Sequence, residues 1–179
     1  MVLASSSPRR LDLLRSIGVQ PEVRPADIDE TPLDGEAPAA YVDRLARTKA
    51  RTVARPGEVV VAADTTVVID GRIIGKPADR AEALDTLRTL SGRTHTVYTG
   101  VAVVSPTGTV AVTVTSDVTF VKISEDVLDW YVGSPEPYDK AGAYGLQAAG
   151  AMLVAAVHGG VSNVLGLPLA ELHDLMLSR

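Results

Sequence analysis

The chain has 179 residues, enough to bury roughly 70% of its unfolded surface around a core without covalent staples. It is 46% hydrophobic and 22% charged, with 15 Gly and 11 Pro, which excludes a disordered, collagen-like or coiled-coil polypeptide. Seventeen Lys+Arg against 22 Asp+Glu give a net charge of −5, which argues against a nucleic-acid polymer or a membrane surface as partner, since both need a basic field. With no Cys, disulfides, iron–sulfur clusters and thiolate zinc sites are also excluded.

Val2–Ala4 is a short apolar start, and the arginines that follow it come in the reverse order of a secretory leader, so a cytoplasmic protein is expected. Ser7-Pro8 reads as N-cap and first residue of a helix that Gly18 stops. Its core face is Leu13, Leu14 and Ile17. Asp27–Gly35 is polar and reads as a loop. A second helix is expected from Pro38 to Ala54. Val59–Ile69 is apolar and β-branched, and Asp70-Gly71 before Arg72-Ile73-Ile74 signals a hairpin. Asp79 caps a third helix whose inner face is Ala83, Leu84, Leu87 and Leu90, ended by Ser91-Gly92. Strands follow over Thr94–Val104 and Thr109–Val121. In the second, Val110, Val112, Val114, Val118 and Phe120 share one face and Ala111 to Thr119 the polar one. Ser124–Tyr131 reads as a short helix, Ala151–Val157 as a strand and Pro168–Leu177 as a closing helix. The expected class is α/β with a mixed twisted sheet and flanking helices, in one domain over residues 1–179.

Familiar nucleotide signatures fail. Gly71-Arg-Ile-Ile-Gly75-Lys76-Pro77 is one residue short of a phosphate loop and lacks the Ser/Thr after its Lys. No Gly-x-Gly-x-x-Gly follows a strand. His95, His158 and His173 lack ligand spacing and read as ordinary polar histidines.

Charges placed where apolar residues belong are more informative. At about 100° per residue along the second helix, Tyr41, Val42, Leu45, Ala46, Thr52 and Val53 share a face, with Arg44, Arg47 and Arg51 opposite as a solvated stripe. Lys49 falls inside the apolar face, where an ammonium either snorkels out or meets an anion. Arg10 projects along the core line of the first helix, with Arg9 at its margin. The helix N-terminus and the hydroxyls of Ser5–Ser7 offer a phosphate seat, and Arg forks match phosphate oxygens. The other reading leaves both arginines merely exposed. Asp64 interrupts an apolar strand and needs a backbone N–H, a cation or a metal as partner. Glu30, in an acidic loop, is either a second oxygen ligand or simply hydrophilic. Pocketed cations beside carboxylates, with no covalent nucleophile, point to metal-assisted hydrolysis of a polyphosphate.

Six blocks carry a resemblance: Leu3-Ala-Ser-Ser-Ser-Pro-Arg-Arg10, Arg44-Leu-Ala-Arg-Thr-Lys49-Ala, Ala63-Asp64-Thr65 with Gly75-Lys76-Pro77, Ser91-Gly92-Arg-Thr-His95, Asp139-Lys140 through Gly145-Leu-Gln147, and Ser162-Asn-Val-Leu-Gly-Leu-Pro168. In order and spacing they resemble the Maf family of nucleoside triphosphate pyrophosphatases. The resemblance implies a two-lobed α/β fold with a cleft, like that of the inosine triphosphate pyrophosphatases. It also implies a divalent cation (Mg or Mn), cleavage between the α- and β-phosphates, and a homodimer. It puts the catalytic carboxylate, the proton acceptor, on Asp64, and matches Glu30 to an acidic loop; a metal would be served by Asp64 and Glu30. Specificity falls on Arg10, Thr65 and Gln147, in the pattern of the branch acting on dTTP and UTP. Ser5, Arg9, Lys49 and Lys76 are expected at the substrate. Ala148 departs from the pattern, where Gly is expected, and Val161 stands where an aromatic is common. Two other readings fit the same residues: a broader house-cleaning pyrophosphatase for purine or modified nucleotides, and a nucleotide-sensing regulator of cell division with little turnover.

Overall fold

The computed structural model describes residues 1–178, so Arg179, the end of the expected domain, lies outside the described residues. The elements in chain order are β1 (Val2–Leu3), α1 (Pro8–Ser16), β2 (Glu22–Val23), α2 (Pro38–Val53), β3 (Val60–Ile69), β4 (Arg72–Ile74), α3 (Arg80–Leu90), β5 (Thr94–Ser105), β6 (Gly108–Phe120), α4 (Glu125–Val132), β7 (Val154–His158), α5 (Val161–Val164) and α6 (Leu169–Leu177). The sheet is mixed, in the order β2-β1-β3-β5-β6-β7, with β4 paired to β3. β1 runs parallel to both β2 and β3, while β3–β4 and β6–β7 are antiparallel. No helix among the described residues is long and apolar enough to cross a membrane.

The chain folds as two compact units. One comprises Met1–Thr65, Tyr98–Val114 and the residues from Ser162 onward; the other comprises Thr66–Val97 and Thr115–Val161. In the first unit, alternation along the strands sorts side chains onto two faces. Leu3, Val61, Ala63, Val101 and Val103 pack with Leu14 of α1 and with Leu167 and Leu172 at α6. Val2, Ala4, Val60, Ala62 and Ala102 pack with Ala46 and Ala50 of α2. Both faces of these strands are therefore covered, which is why they read as unbroken apolar runs. It also explains a departure in β6, where Ala111, expected on a polar face, packs into the α2-side cluster while Val110 and Val112 join the other. The expected alternation holds only further on, with Ser116, Val118 and Phe120 buried and Asp117 exposed.

The hairpin forms where Asp70-Gly71 predicts it. Both residues take positive φ, 51° and 74°, as a two-residue primed turn requires, and Val67, Val68 and Ile69 pair with Ile74, Ile73 and Arg72. Asp79 caps α3 by accepting from Glu82 N at 2.9 Å. Ser7 occupies the cap position of α1 but its side chain makes no capping bond. Ile17, expected in the core, is 54% exposed, because α1 ends at Ser16 and Ile17 is already its C-cap.

Two further expectations are corrected. The strand over Ala151–Val157 begins only at Val154, because Ala149–Leu153 is a 3-10 turn. That turn is held by Glu136, whose carboxylate accepts from Ala149 N and Gly150 N at 3.0 and 3.1 Å.

His95 is not an ordinary polar histidine. It is 2% exposed, Nε2 meets the Tyr144 hydroxyl at 2.7 Å, and its ring stands edge-on to Phe120 and Tyr144. Burial pushes its pKa down to about 4, against a smaller upward pull from Asp117. Between about pH 6.5 and 4 the unfolded chain therefore binds a proton at His95 that the folded chain refuses. The native state keeps this contribution above pH 6.5 and loses it on acidification, by roughly 3 kcal/mol over the window. Urea unfolding at pH 7 and pH 4.5 should show a loss of this order in the wild type and a much smaller one in His95→Gln.

Candidate functional site

β1, the Ala4–Ser7 turn and α1 form a strand–turn–helix unit. β1 is fixed on β3 by Val2 N and Ala4 N, which donate to Val59 O and Val61 O at 2.8 Å each. That register carries the first turn of α1 to the part of β3 that holds Asp64 and Thr65. Successive strand residues face opposite ways, and the charged groups fall into two clusters accordingly.

On the α2 face, Lys49 is 7% exposed and Asp64 also 7%. Lys49 Nζ lies 2.6 Å from Asp64 Oδ1 and 2.7 Å from Glu30 Oε1. The cation that interrupts one apolar face and the anion that interrupts the other are partners, so Lys49 does not snorkel. Glu30 is brought in by a tied loop. The Tyr41 hydroxyl donates to Glu30 O at 3.0 Å, and Arg44 donates to Thr31 O at 3.2 Å and to both Glu36 oxygens at 2.6 and 2.7 Å. Arg44 thereby lowers the Glu36 pKa to about 2. Burial, and then the charges of Asp64 and Glu30, push the Tyr41 hydroxyl up to about 12. The stripe of α2 expected to be solvated is thus paired at Arg44, and also at Arg47, which meets Asp43 at 2.8 Å; Arg51 is exposed.

On the opposite face Arg10 spends its fork on three partners. Nε donates to Gly166 O at 2.7 Å, one terminal nitrogen to Ser5 Oγ at 3.2 Å and the other to Thr65 Oγ1 at 3.1 Å. Burial pushes the guanidinium below its ordinary range; Asp64 pulls it up, Arg9 pushes it further down and Glu30 pulls it up again. The two clusters are therefore electrostatically coupled although the strand separates their side chains. Thr99 and the Asn163 carbonyl, which the sequence reading missed, extend the Arg10 cluster: Thr99 Oγ1 is 3.0 Å from Thr65 Oγ1 and donates to Asn163 O at 3.0 Å. Nothing in the local pattern of a threonine-rich strand singles Thr99 out.

The structure thus gathers Ser5, Arg10, Glu30, Lys49, Asp64 and Thr65 in the first unit, and Arg9 is half-buried there. Lys76 and Gln147 are exposed residues of the second unit, and their substrate roles rest on the resemblance alone. Among the described residues there is no group of three or more His, Asp or Glu that could hold a metal. Asp64 and Glu30 nonetheless converge on one cationic point. One or two carboxylates suffice for a Mg-type ion whose remaining ligands are substrate phosphates and water, so this donor set fits an ion that arrives with a triphosphate.

Fold and site define a class: a mixed α/β protein that keeps a buried ion triad and an arginine-centred hydrogen-bond cluster on consecutive residues of one strand. The family model described as Maf-like protein matches residues 1–179, and the chain belongs to the Maf family. It is 51% identical over 180 residues to a protein of Anaeromyxobacter dehalogenans named dTTP/UTP pyrophosphatase, covering 98% of this chain and 92% of that one. It is 53% identical over 173 residues to a protein of the same name from Myxococcus xanthus, with 96% and 88% covered. Among solved structures it is similar to a nucleoside-triphosphatase / dITP/XTP pyrophosphatase of Mycobacterium abscessus. That likeness has a TM-score of 0.43 at 22% identity, over 68% of this chain and 74% of that one.

Proposed function

We propose that this protein hydrolyses dTTP and UTP to the nucleoside monophosphate and pyrophosphate. The observation that carries the reading is the buried Lys49 ammonium between Asp64 and Glu30, two carboxylates that also act electrostatically on Arg10. Such a site holds fixed cations for a polyphosphate beside a carboxylate for its attacking water. The names of relatives at about half identity over nearly the whole chain support the substrate.

In the proposed mechanism Arg10, Lys49 and Arg9 neutralise the triphosphate, with Ser5 as a neutral hydrogen-bond partner. Asp64 orients a water towards the α-phosphorus and takes its proton. The new bond joins the water oxygen to the α-phosphorus; the bond from that phosphorus to the bridging oxygen breaks, and its electron pair leaves with pyrophosphate. Glu30 would hold a Mg or Mn ion, whose Lewis acidity offsets charge on the phosphates; Asp64 would join it as a direct ligand only in place of its role as base, because a metal-bound carboxylate is a poor proton acceptor. Lys76 and Gln147 are proposed to hold the triphosphate and the base, and an amide such as Gln147 both donates and accepts. Thymine and uracil differ by one methyl, worth about 1 kcal/mol, so both are accepted.

The test is a panel of dTTP, UTP, CTP, GTP and modified triphosphates with Mg or Mn, resolving pyrophosphate from orthophosphate. Pyrophosphate and monophosphate from dTTP and UTP are expected. Orthophosphate release, a purine preference, or saturable binding without pyrophosphate would each overturn the reading, the last in favour of a nucleotide sensor.

A further inference from the structure

Two Asp-Gly pairs occur in the chain, Asp34-Gly35 and Asp70-Gly71, and the structure treats them differently. Both glycines take positive φ, +68° and +74°, in turns that favour a residue without a Cβ. The Asp70 carboxylate is clasped. One terminal nitrogen of Arg93 donates to both of its oxygens, at 2.7 and 2.8 Å, and the other donates to Thr89 O at 3.3 Å, which anchors the guanidinium on the end of α3. The clasp holds the Asp70 carboxyl below its ordinary range. Asp34 and Gly35 are both exposed. Among the described residues nothing holds the Asp34 carboxylate and nothing accepts from Gly35 N. A Cβ at Gly35 would meet nothing within 4 Å, so no neighbour crowds this nitrogen. The turn around the pair is nevertheless tied. Glu36 N donates to Leu33 O at 3.0 Å, and Leu33 N donates to Glu36 Oε2 at 3.0 Å. That carboxylate is the one held by Arg44, which also donates to Thr31 O.

We infer that Asp34-Gly35 is a site of spontaneous isomerisation to isoaspartate, that Arg93 protects Asp70-Gly71 from the same reaction, and that modification at Asp34 loosens the loop bringing Glu30 to Lys49. In the first step the Gly35 nitrogen attacks Cγ of the protonated Asp34 carboxyl. A nitrogen–carbon bond forms, the carboxyl hydroxyl leaves with the nitrogen's proton as water, and a succinimide ring results. Water then adds to the main-chain carbonyl of that ring. The bond from this carbon to the nitrogen breaks, and a proton passes to the nitrogen. The chain now runs through Cγ, and the former main-chain carbonyl is a free carboxylate. One water leaves and one enters, so no oxidant or co-reactant is needed. Asp70 must first give up its hydrogen bonds to Arg93 and take a proton that the guanidinium disfavours. Asp34 faces no such barrier. The product carries one more main-chain atom between Leu33 and Glu36, whose separation is fixed by the two hydrogen bonds that span the pair. The turn must widen, Glu36 gives up Leu33 or Arg44, and the strap on Thr31, next to Glu30, slackens. The inference stands on bonding within the loop and does not depend on the reaction proposed above.

The experiment incubates the wild type, Arg93→Gln and Asp34→Glu at physiological temperature and neutral pH. Isoaspartate is then mapped by chromatography and fragmentation of proteolytic peptides. In the wild type the yield at Asp34 is expected to exceed that at Asp70 by about tenfold or more, the scale of a charged hydrogen bond that must break first. Arg93→Gln should raise the yield at Asp70 by a similar factor and leave Asp34 unchanged. Asp34→Glu, whose longer side chain would have to close a larger ring, should remove the product at that position. In isoaspartyl protein separated from the unmodified chain, amide hydrogen exchange should quicken at Leu33 and Glu36 and stay unchanged in α3. No product at Asp34, or equal yields at the two pairs, overturns the inference, and this comparison needs no variant to fold. An Arg93→Gln protein whose Asp70 stays unmodified overturns the protective role. Unchanged exchange at Leu33 and Glu36 in the isoaspartyl protein overturns the loosening of the Glu30 loop.

Discussion

Asp64→Asn is expected to lower pyrophosphate release by about a thousandfold or more, the scale of a lost general base, in a protein that still folds. The amide occupies the same volume as the carboxylate and still offers an oxygen to Lys49 Nζ, which lies 2.6 Å from Oδ1. Lys49 also keeps its 2.7 Å contact with Glu30, so its charge is not orphaned. The loss in stability should be about 1–2 kcal/mol, that of weakening one charged hydrogen bond. Lys49→Met is the informative companion. It strands the Asp64 carboxylate, 7% exposed, without its cation, and removing one partner of a buried pair costs about 3–5 kcal/mol. Glu30, whose side chain is half exposed, adds less than about 1 kcal/mol. Denaturant midpoints should therefore rank Lys49→Met well below Asp64→Asn, while turnover ranks the two closely. Near-normal turnover by Asp64→Asn would make Asp64 a structural counter-ion and remove it from the chemistry.

Gly100→Ala is expected to be the most destabilising single methyl in the protein. Gly100 lies in β5 beneath α2, and a Cβ there would stand 2.3 Å from Val42 O, 2.5 Å from Val42 C and 2.8 Å from Asp43 N. These are backbone atoms, so no side-chain rotation relieves the clash, and α2 must lift. Overpacking of this kind costs about 3 kcal/mol or more, or a fall in Tm on the order of 10 °C for a chain of this size. The same displacement carries Lys49, Tyr41 and Arg44 with it, so residual activity should fall further than the unfolded fraction accounts for. Gly75→Ala, where a Cβ meets nothing within 4 Å and φ is not positive, is the control and should stay within about 0.5 kcal/mol. A thermal melt of both variants decides the matter.

Much of this protein was settled by its sequence alone. The succession of helices and strands, the Asp70-Gly71 turn and the Asp79 cap depend on period and turn chemistry, which act over a few residues. The same local reading exposed Lys49 and Asp64 as charges in apolar places, because burying either without a partner is costly. What it could not reach was the identity of those partners. Lys49 meets Asp64 across 15 residues of chain and Arg10 meets Gly166 across 156, and only strand register and helix docking bring such groups together. The burial of His95 is invisible to local pattern for the same reason: it is set by Phe120 and Tyr144, distant in sequence, and not by its neighbours. β2, two residues long, carries no periodic signal and exists because its backbone pairs with β1. Local patterns said which residues were out of place; the pairing of distant strands and helices decided what each of them faces.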